Sequence, residues 1–306
     1  MKKFTIIIPV KNEEKNIPIL IQKIQEQKID YEYEILFIND GSTDNTWKVI
    51  KNINYENDKI KGISFSKNFG HQIALSAGID NCNSDFLIMM DGDLQHPPKY
   101  INEMIEKYKK GYDVVQMVKS NQGKRSIIQK ISSSLFYFIF SKISNINISS
   151  NVSDFRLISK KVIDVLKNIK EKERFIRGLV SWIGFNYVEI SYNVDERKFG
   201  FSKYNIFALS KLASFGIFGF STFPLKLSLY IGYLFALFSF CYGFFAIIKR
   251  FVSPESIPVG YTDLIVFITF IGGLILIFLG ILGAYLSKIF EEVRNRPIYI
   301  IDEKLL

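Results

Sequence analysis

The sequence predicts an α/β domain with a mostly parallel sheet, followed by a two-helix hairpin in a membrane. Three observations predict it. Apolar β-rich runs alternate with helical apolar spacing over the first 120 residues. Motifs rich in Asp, Asn and Gly fall directly after several of those runs. Beyond Phe220 charge almost vanishes, and two long uncharged stretches appear.

Phe4–Pro9 reads as the first strand, and Ile17, Leu20, Ile21 and Ile24 give the first helix its apolar stripe. Glu34–Ile38 is a strand followed by a helix over Thr43–Ile53. Lys61–Phe65 and His71–Ile79 repeat the pair, as do Phe86–Met90 and Pro98–Tyr108. Asp113–Val118 closes the series as a strand. In such sheets ligands bind at the carboxyl ends of the strands.

Leu227–Ile248 and Leu264–Leu286 each exceed 20 residues without a charge. A helix rising about 1.5 Å per residue needs roughly 20 residues to cross the hydrocarbon core. The connector Lys249–Asp263, with Pro254 and Pro258, reads as the turn between them. Basic residues flank the pair: Arg197, Lys198, Lys203, Lys211 and Lys226 before, Lys288, Arg294 and Arg296 after. This places the catalytic domain and both termini in the cytoplasm and makes the chain a multi-pass plasma-membrane protein. Gly232 with Ala236, Ser239 with Gly243, and Gly280 with Ala284 have the spacing of close helix packing and fit a homo-oligomer, dimer or tetramer. Tyr204–Ser221 and Ile127–Ile143 interleave apolar and polar residues as interfacial helices do. The expected organisation is a catalytic domain over 1–203, an interfacial helix over 204–226, a membrane part over 227–290 and a tail over 291–306.

The formal charge is +9, with 48% hydrophobic residues and mean hydropathy +0.13. The scattered lysines and the lack of nucleic-acid motifs favour phosphorylated substrates and an anionic membrane surface over nucleic acid. Two cysteines, Cys82 and Cys241, exclude a disulfide framework or a cysteine zinc site by count. No secretory signal opens the chain: Phe4–Val10 is too short and runs straight into Lys11, Asn12, Glu13 and Glu14. A Gly-x-Gly-x-x-Gly fingerprint is absent after the first strand, which argues against a nicotinamide enzyme.

Asn39-Asp40-Gly41-Ser42-Thr43-Asp44 follows the second strand, where Gly41 permits a sharp turn and Ser42, Thr43 or Asp44 can cap the next helix. Asp91-Gly92-Asp93-Leu94-Gln95-His96-Pro97-Pro98 follows the fourth. Carboxylates at i and i+2 share one side of an extended chain and repel unless a hard cation joins them. Mg²⁺ takes one or two carboxylates and completes its shell with water and phosphate, so a diphosphate fits the demand. His71 and His96 have no cysteine or histidine partners, and His96 reads as a neighbour of this turn rather than a ligand.

These motifs, with Pro9-Val10-Lys11-Asn12-Glu13 and Asn68-Phe69-Gly70, resemble family 2 glycosyltransferases of the GT-A fold. Ser153-Asp154-Phe155-Arg156-Leu157, Arg197-Lys198-Phe199-Gly200-Phe201-Ser202-Lys203-Tyr204 and the stretch Glu291–Tyr299 resemble the polyprenyl-phosphate branch, which includes dolichol-phosphate mannose synthase and bacterial glucosyltransferases. The resemblance implies nucleotide-sugar binding by Pro9, Lys11, Glu13, Asp40 and Asp91. It implies a Mg²⁺ or Mn²⁺ site at Asp91, Asp93 and Gln95, and catalytic roles for Asp93, Asp154 and Arg197. Lys119, Arg125 and Lys203 fall to the acceptor phosphate. Asn39 stands where relatives carry the first of two aspartates. Lys119 stands where they often carry arginine, keeping the charge without the bidentate grip. The implied reaction is inverting transfer of a hexose, UDP-glucose being the favoured donor, to polyprenyl phosphate. A GDP-mannose enzyme and a non-catalytic nucleotide-sugar-binding subunit are the alternatives. A processive synthase is disfavoured because no Gln-x-x-Arg-Trp motif is present.

Overall fold

A computed structural model describes residues 3–120, 152–172, 174–193, 223–252 and 261–305. Its first unit holds the described residues up to 193 together with 296–305, and its second holds the described residues of 223–295.

The first unit is built on a sheet of eight described strands: β1 (Lys3–Val10), β2 (Glu32–Asn39), β3 (Ile60–Phe65), β4 (Phe86–Met89), β5 (Val114–Lys119), β6 (Val152–Ser159), β7 (Tyr187–Tyr192) and β8 (Ile301–Leu305). Their order is β7-β5-β6-β4-β1-β2-β3-β8. β1 pairs in parallel with β2 and β4, β2 with β3, and β5 with β7, as the alternating pattern predicts. β6 breaks the pattern by running antiparallel between β4 and β5. That reversal brings the beginning of β6 to the edge where β4 and β5 end.

β1 is buried from Phe4 onward, so both faces of the sheet are covered. Phe4, Ile6, Ile8 and Val10 share one core cluster with Phe37, Phe86, Ile88, Phe155 and Leu157. The apolar stripes of α1 (Asn16–Gln25) and α4 (Ile101–Lys109) fill that face. Ile7 points to the other face, against α3 (His71–Asn81), where a Cβ at Gly78 would collide with it. Two further helices follow β6: α5 (Lys160–Asn168) and α6 (Ile176–Ile183).

Helix α2 (Thr46–Glu56) begins three residues later than the spacing predicts, because Ser42, Thr43 and Asp44 hold a neighbouring loop instead. The run from Pro98 opens with one 3₁₀ turn to Tyr100 before α4 starts.

The stretch 291–306, expected as a cytoplasmic tail, contains a helix end and a strand. Val293 ends a long helix, and β8 pairs antiparallel with β3 on the edge of the catalytic sheet. Trp47 Nε1 donates to Glu303 Oε2 at 2.8 Å, Lys51 pairs with the same carboxylate at 2.7 Å, and Tyr299 stacks on Phe65. These contacts give the strand its register. The hydrophobic run before it conceals a strand whose outward residues are charged, as edge strands usually are.

The second unit contains α7 (Phe223–Val252) and α8 (Tyr261–Val293). Phe223–Lys226, expected in the interfacial helix, belong to α7; Tyr204–Thr222, Ile127–Ile143 and Ser253–Gly260 lie outside the described residues. Phe270–Val293 is long and apolar enough to cross a membrane, with mean hydropathy 2.3 and none of it buried. A Cβ at Gly232 or Gly280 would meet nothing within 4 Å, so these glycines are not where α7 and α8 touch.

Candidate active site

The topology gathers the site. β1, β2 and β4 end at Val10, Asn39 and Met89, and β5 and β7 end at Lys119 and Tyr192, on the same edge where β6 begins. Pro9, Lys11, Glu13, Asp40, Asp91, Asp93, Gln95, Lys119 and Asp154 all fall on that edge or in the loops leaving it. Arg125, Arg197 and Lys203 lie outside the described residues.

Two loops are stitched together first. Asp40 N–H donates to Val10 O at 2.9 Å, and Asn12 N–H to Ser42 Oγ at 3.0 Å. Thr43 N–H returns a bond to Asn12 Oδ1 at 2.8 Å, and Glu13 N–H donates to Thr46 Oγ1 at 2.9 Å. Asn12 has φ 58°, a left-handed conformation that asparagine tolerates. Asp44 Oδ1 accepts from Thr46 N–H at 3.0 Å in the turn that leads into α2, whose N-cap is Asn45. The Glu13 carboxylate accepts from Asn16 Nδ2.

Asp40 is buried, and its carboxylate accepts from Phe69 N–H at 2.7 Å and from Gly70 N–H at 3.0 and 3.1 Å. It therefore organises the Asn68-Phe69-Gly70 loop that leads into α3. A nucleotide contact there shares a carboxylate already engaged by two amides. Gly41 has φ 61°, and any Cβ would overlap the Lys67–Asn68 peptide, so only glycine fits. Asn39 takes no ligand position either: its amide donates to Ser64 Oγ at 2.9 Å and accepts from Ser42 N–H at 3.3 Å.

The Asp91–Gln95 turn leaves β4 tightly. Gln95 N–H donates to Asp93 Oδ1 at 3.1 Å, and Leu94 takes φ 65°, unusual for a leucine. A Cβ at Gly92 would lie 2.7 Å from Val10 Cγ1, so glycine lets the turn lie against β1. Asp91 Oδ1 is buried without a hydrogen-bond partner. Its nearest charged neighbour is His71 Nε2 at 3.4 Å, and a carboxylate oxygen without a hydrogen bond beside a second acidic residue suits a hard divalent cation. Among the described residues no three His, Cys, Asp or Glu side chains are arranged to hold a metal ion. An ion here would rest on one or two carboxylates and borrow the remaining oxygens from a phosphate.

Across from the turn lies a charged cluster that sequence reasoning did not assemble. Arg177, at the start of α6, grips Asp154 with both arms, Nη2 to Oδ2 at 2.9 Å and Nε to Oδ1 at 3.3 Å. Gln72 in the first turn of α3 donates to Asp154 at 3.4 Å and accepts from Ile176 N–H at 3.0 Å, tying α3 to α6. His71 Nε2 lies 3.4 Å from Asp91 and 3.6 Å from Asp154. Beneath sits Arg156, wholly buried, 3.6 Å from Asp154 and donating to Ser153 O at 3.0 Å.

Burial opposes the charged form of Asp154, but Arg177, His71 and Arg156 outweigh it and hold the carboxyl well below its usual range. Burial likewise opposes protonation of His71, but Asp91 and Asp154 override it and lift the imidazole to about 9. Burial pulls Arg156 down to about 10 despite the pull of Asp154. His71 Nε2 thus lies between two carboxylates that favour its protonated form.

Sequence reading does not single out His71, Gln72 and Arg177, because they stand at helix starts 82 residues (Gln72) and 23 residues (Arg177) from Asp154, with His71 next to Gln72. Only the fold joins them. Arg156 was visible inside the motif at Ser153–Leu157, without a sign that it is buried.

Residues 5–166 match the family profile for glycosyl transferase family 2. A prophage-derived bactoprenol glucosyl transferase of Shigella flexneri is 40% identical over 303 residues, covering 98% of each chain. The bactoprenol glucosyl transferase of Shigella phage SfV is 40% identical over 99% of each, and an uncharacterized glycosyltransferase of Bacillus subtilis 38% over 98% of this chain and 93% of that one. Among solved structures, glucosyl-3-phosphoglycerate synthase of Mycobacterium tuberculosis, in complex with Mn²⁺ and UDP, superposes with TM-score 0.48 at 14% identity over 71% of this chain and 78% of that one. By the family profile and by these full-length relatives, the chain belongs to glycosyl transferase family 2.

Proposed function

We propose that this protein is an inverting glucosyltransferase that moves glucose from UDP-glucose onto a polyprenyl phosphate at the cytoplasmic face of the plasma membrane, using Mg²⁺ or Mn²⁺. The observation that carries the reading is the acidic turn itself, where Asp91 Oδ1 is buried without a hydrogen bond and 3.4 Å from His71 Nε2, next to the basic cluster around Asp154 at one sheet edge. Relatives of the same length named bactoprenol glucosyl transferases supply the sugar and the lipid class.

Asp91 and Asp93, with Gln95, would hold the cation. When bound, it supplies charge neutralisation to the leaving diphosphate. The chain's own residues do the rest. The stitched loops at Asn12, Glu13 and Ser42 shape the donor side. Lys119 and Arg177 bring positive charge to the edge where two anionic reactants must meet. A phosphate monoester has a second pKa of about 6 and is largely dianionic at pH 7, so it is already a nucleophile. No strong base is required. A carboxyl held as low as Asp154 is a poor proton acceptor, so Asp154 serves as a positioning anchor for Arg177 and His71.

The membrane reading has independent support. The chain leaves the sheet after β7 and returns to it as β8. A chain that starts and finishes on one side crosses a bilayer an even number of times, which supports two spans and cytoplasmic termini. Gly232 and Gly280, where a Cβ would meet nothing within 4 Å among the described residues, support a homo-oligomer, dimer or tetramer.

The test is a donor screen on the full chain in membranes, with labelled nucleotide-sugars, polyprenyl phosphate and Mg²⁺ or Mn²⁺. Label from UDP-glucose in solvent-extractable lipid is the expected result. Label from GDP-mannose instead overturns the donor assignment, and no lipid label from any donor overturns the reaction.

A further inference from the structure

His96 takes no part in the chemistry above, yet it touches both halves of the site. It is 1% exposed and stacks on Phe155, with ring centroids 5.1 Å apart and planes 13° apart; Tyr192 meets its edge at 6.0 Å. Its Nδ1 accepts the backbone N–H of Asp91 at 2.9 Å. That donor cannot reverse its role, so Nδ1 is unprotonated and the hydrogen of the neutral ring sits on Nε2. Nε2 faces Ser153 Oγ at 2.8 Å and so donates to it. Tyr192 OH donates to the same oxygen at 3.1 Å. With one nitrogen accepting and the other carrying hydrogen, no lone pair is left for a metal.

The two ends of this ring reach two different parts of the site. Asp91 opens the acidic turn, and Ser153 immediately precedes Asp154 on β6. The turn has a reason to need an outside hold. Leu94 within it is in the left-handed region, and such backbone persists only when its surroundings over-determine it.

We infer that His96 is a positioning residue that couples the cation-binding turn Asp91–Gln95 to the strand bearing Asp154, through Asp91 N–H on one side and Ser153 Oγ on the other. With Asp91 N–H fixed, its carboxylate is held with Oδ1 free of hydrogen bonds and 3.4 Å from His71 Nε2. The inference rests on the cation site proposed above and adds the group that aims it. Partners behind a metal ligand commonly matter 10- to 100-fold in metal affinity.

The experiment uses the full chain in detergent and three substitutions. His96→Asn places an amide oxygen near the old Nδ1 and keeps an acceptor for Asp91 N–H. His96→Gln reaches toward Ser153 and loses that acceptor. His96→Ala loses both. Mn²⁺ binding in the presence of UDP is read by electron paramagnetic resonance, and amide hydrogen exchange of the peptide spanning Asp91–Gln95 is read without metal. Thermal melts confirm folding of each variant. The expected result is Mn²⁺ affinity weakened about 10- to 100-fold and faster exchange in His96→Ala and His96→Gln, with His96→Asn close to wild type on both. Equal Mn²⁺ affinity in wild type and a folded His96→Gln overturns the inference, as does unchanged exchange in that variant. Wild type that fails to bind Mn²⁺ refutes the cation site instead, and the exchange arm then still decides whether His96 holds the turn.

Discussion

Arg177→Met tests the charged cluster most directly. Arg177 holds both carboxylate oxygens of Asp154, at 2.9 and 3.3 Å, with the two side chains 20% and 11% exposed. Removing one partner of a buried pair costs about 3–5 kcal/mol, because the other charge is left without compensation. Here Asp154 keeps His71 and Arg156, both at 3.6 Å, and Gln72 at 3.4 Å. A loss of about 2–3 kcal/mol is therefore expected. For a domain of roughly 200 residues this lowers Tm by roughly 5–10 °C. Both tryptophans of the chain, Trp47 and Trp182, lie in the catalytic unit, so intrinsic fluorescence reports its melting. Asp154→Asn in the Arg177→Met background should recover part of the loss, with an interaction energy of about 1 kcal/mol or more. The pH dependence has a definite sign. Asp154's folded pKa is depressed, so its contribution is complete above the ordinary carboxylate value and is lost as pH falls through the folded one. The gap between wild type and Arg177→Met should therefore narrow in strong acid. An unchanged Tm in Arg177→Met, or strictly additive single and double variants, would refute the reasoning.

Asp93→Asn should nearly abolish lipid glucosylation while leaving the melting curve close to wild type, and a variant with normal turnover would exclude the acidic turn from the reaction. Chelation of divalent ions by EDTA should stop transfer, with Mg²⁺ or Mn²⁺ restoring it. Gly41→Ala should destabilise by more than about 1 kcal/mol, since a positive φ and an overlap with the Lys67–Asn68 peptide act together; a melt within error of wild type would contradict that. Glu34 sits between Lys3 at 2.9 Å and Lys61 at 3.0 Å; burial opposes its charge, but the two lysines and Thr5 prevail and lower its pKa. Glu34→Gln should therefore lose stability at neutral pH and converge with wild type as pH falls through the folded pKa of Glu34. Melts across that window check the sign.

Local and periodic information carried far in the sequence. Alternating apolar runs place β1 to β5 and the helices between them, because a strand buried on both faces must be apolar throughout and an amphipathic helix must repeat every three to four residues. The acidic turn and the loop at Asn39–Asp44 announce themselves by residue type, since sharp turns and cation sites admit few alternatives. What lay beyond reach was juxtaposition. β6 runs against its neighbours, which brings Asp154 opposite Asp91, and no period in Val152–Ser159 encodes a direction. β8 looks like a charged tail until the free edge of β3 takes it. That Asp40 also holds the Phe69 and Gly70 amides is likewise invisible in its motif. Residue identity thus determined the chemistry available to this protein. Tertiary structure decided which groups meet and how each is charged, because burial and Coulomb interaction depend on distance in space and not on separation along the chain.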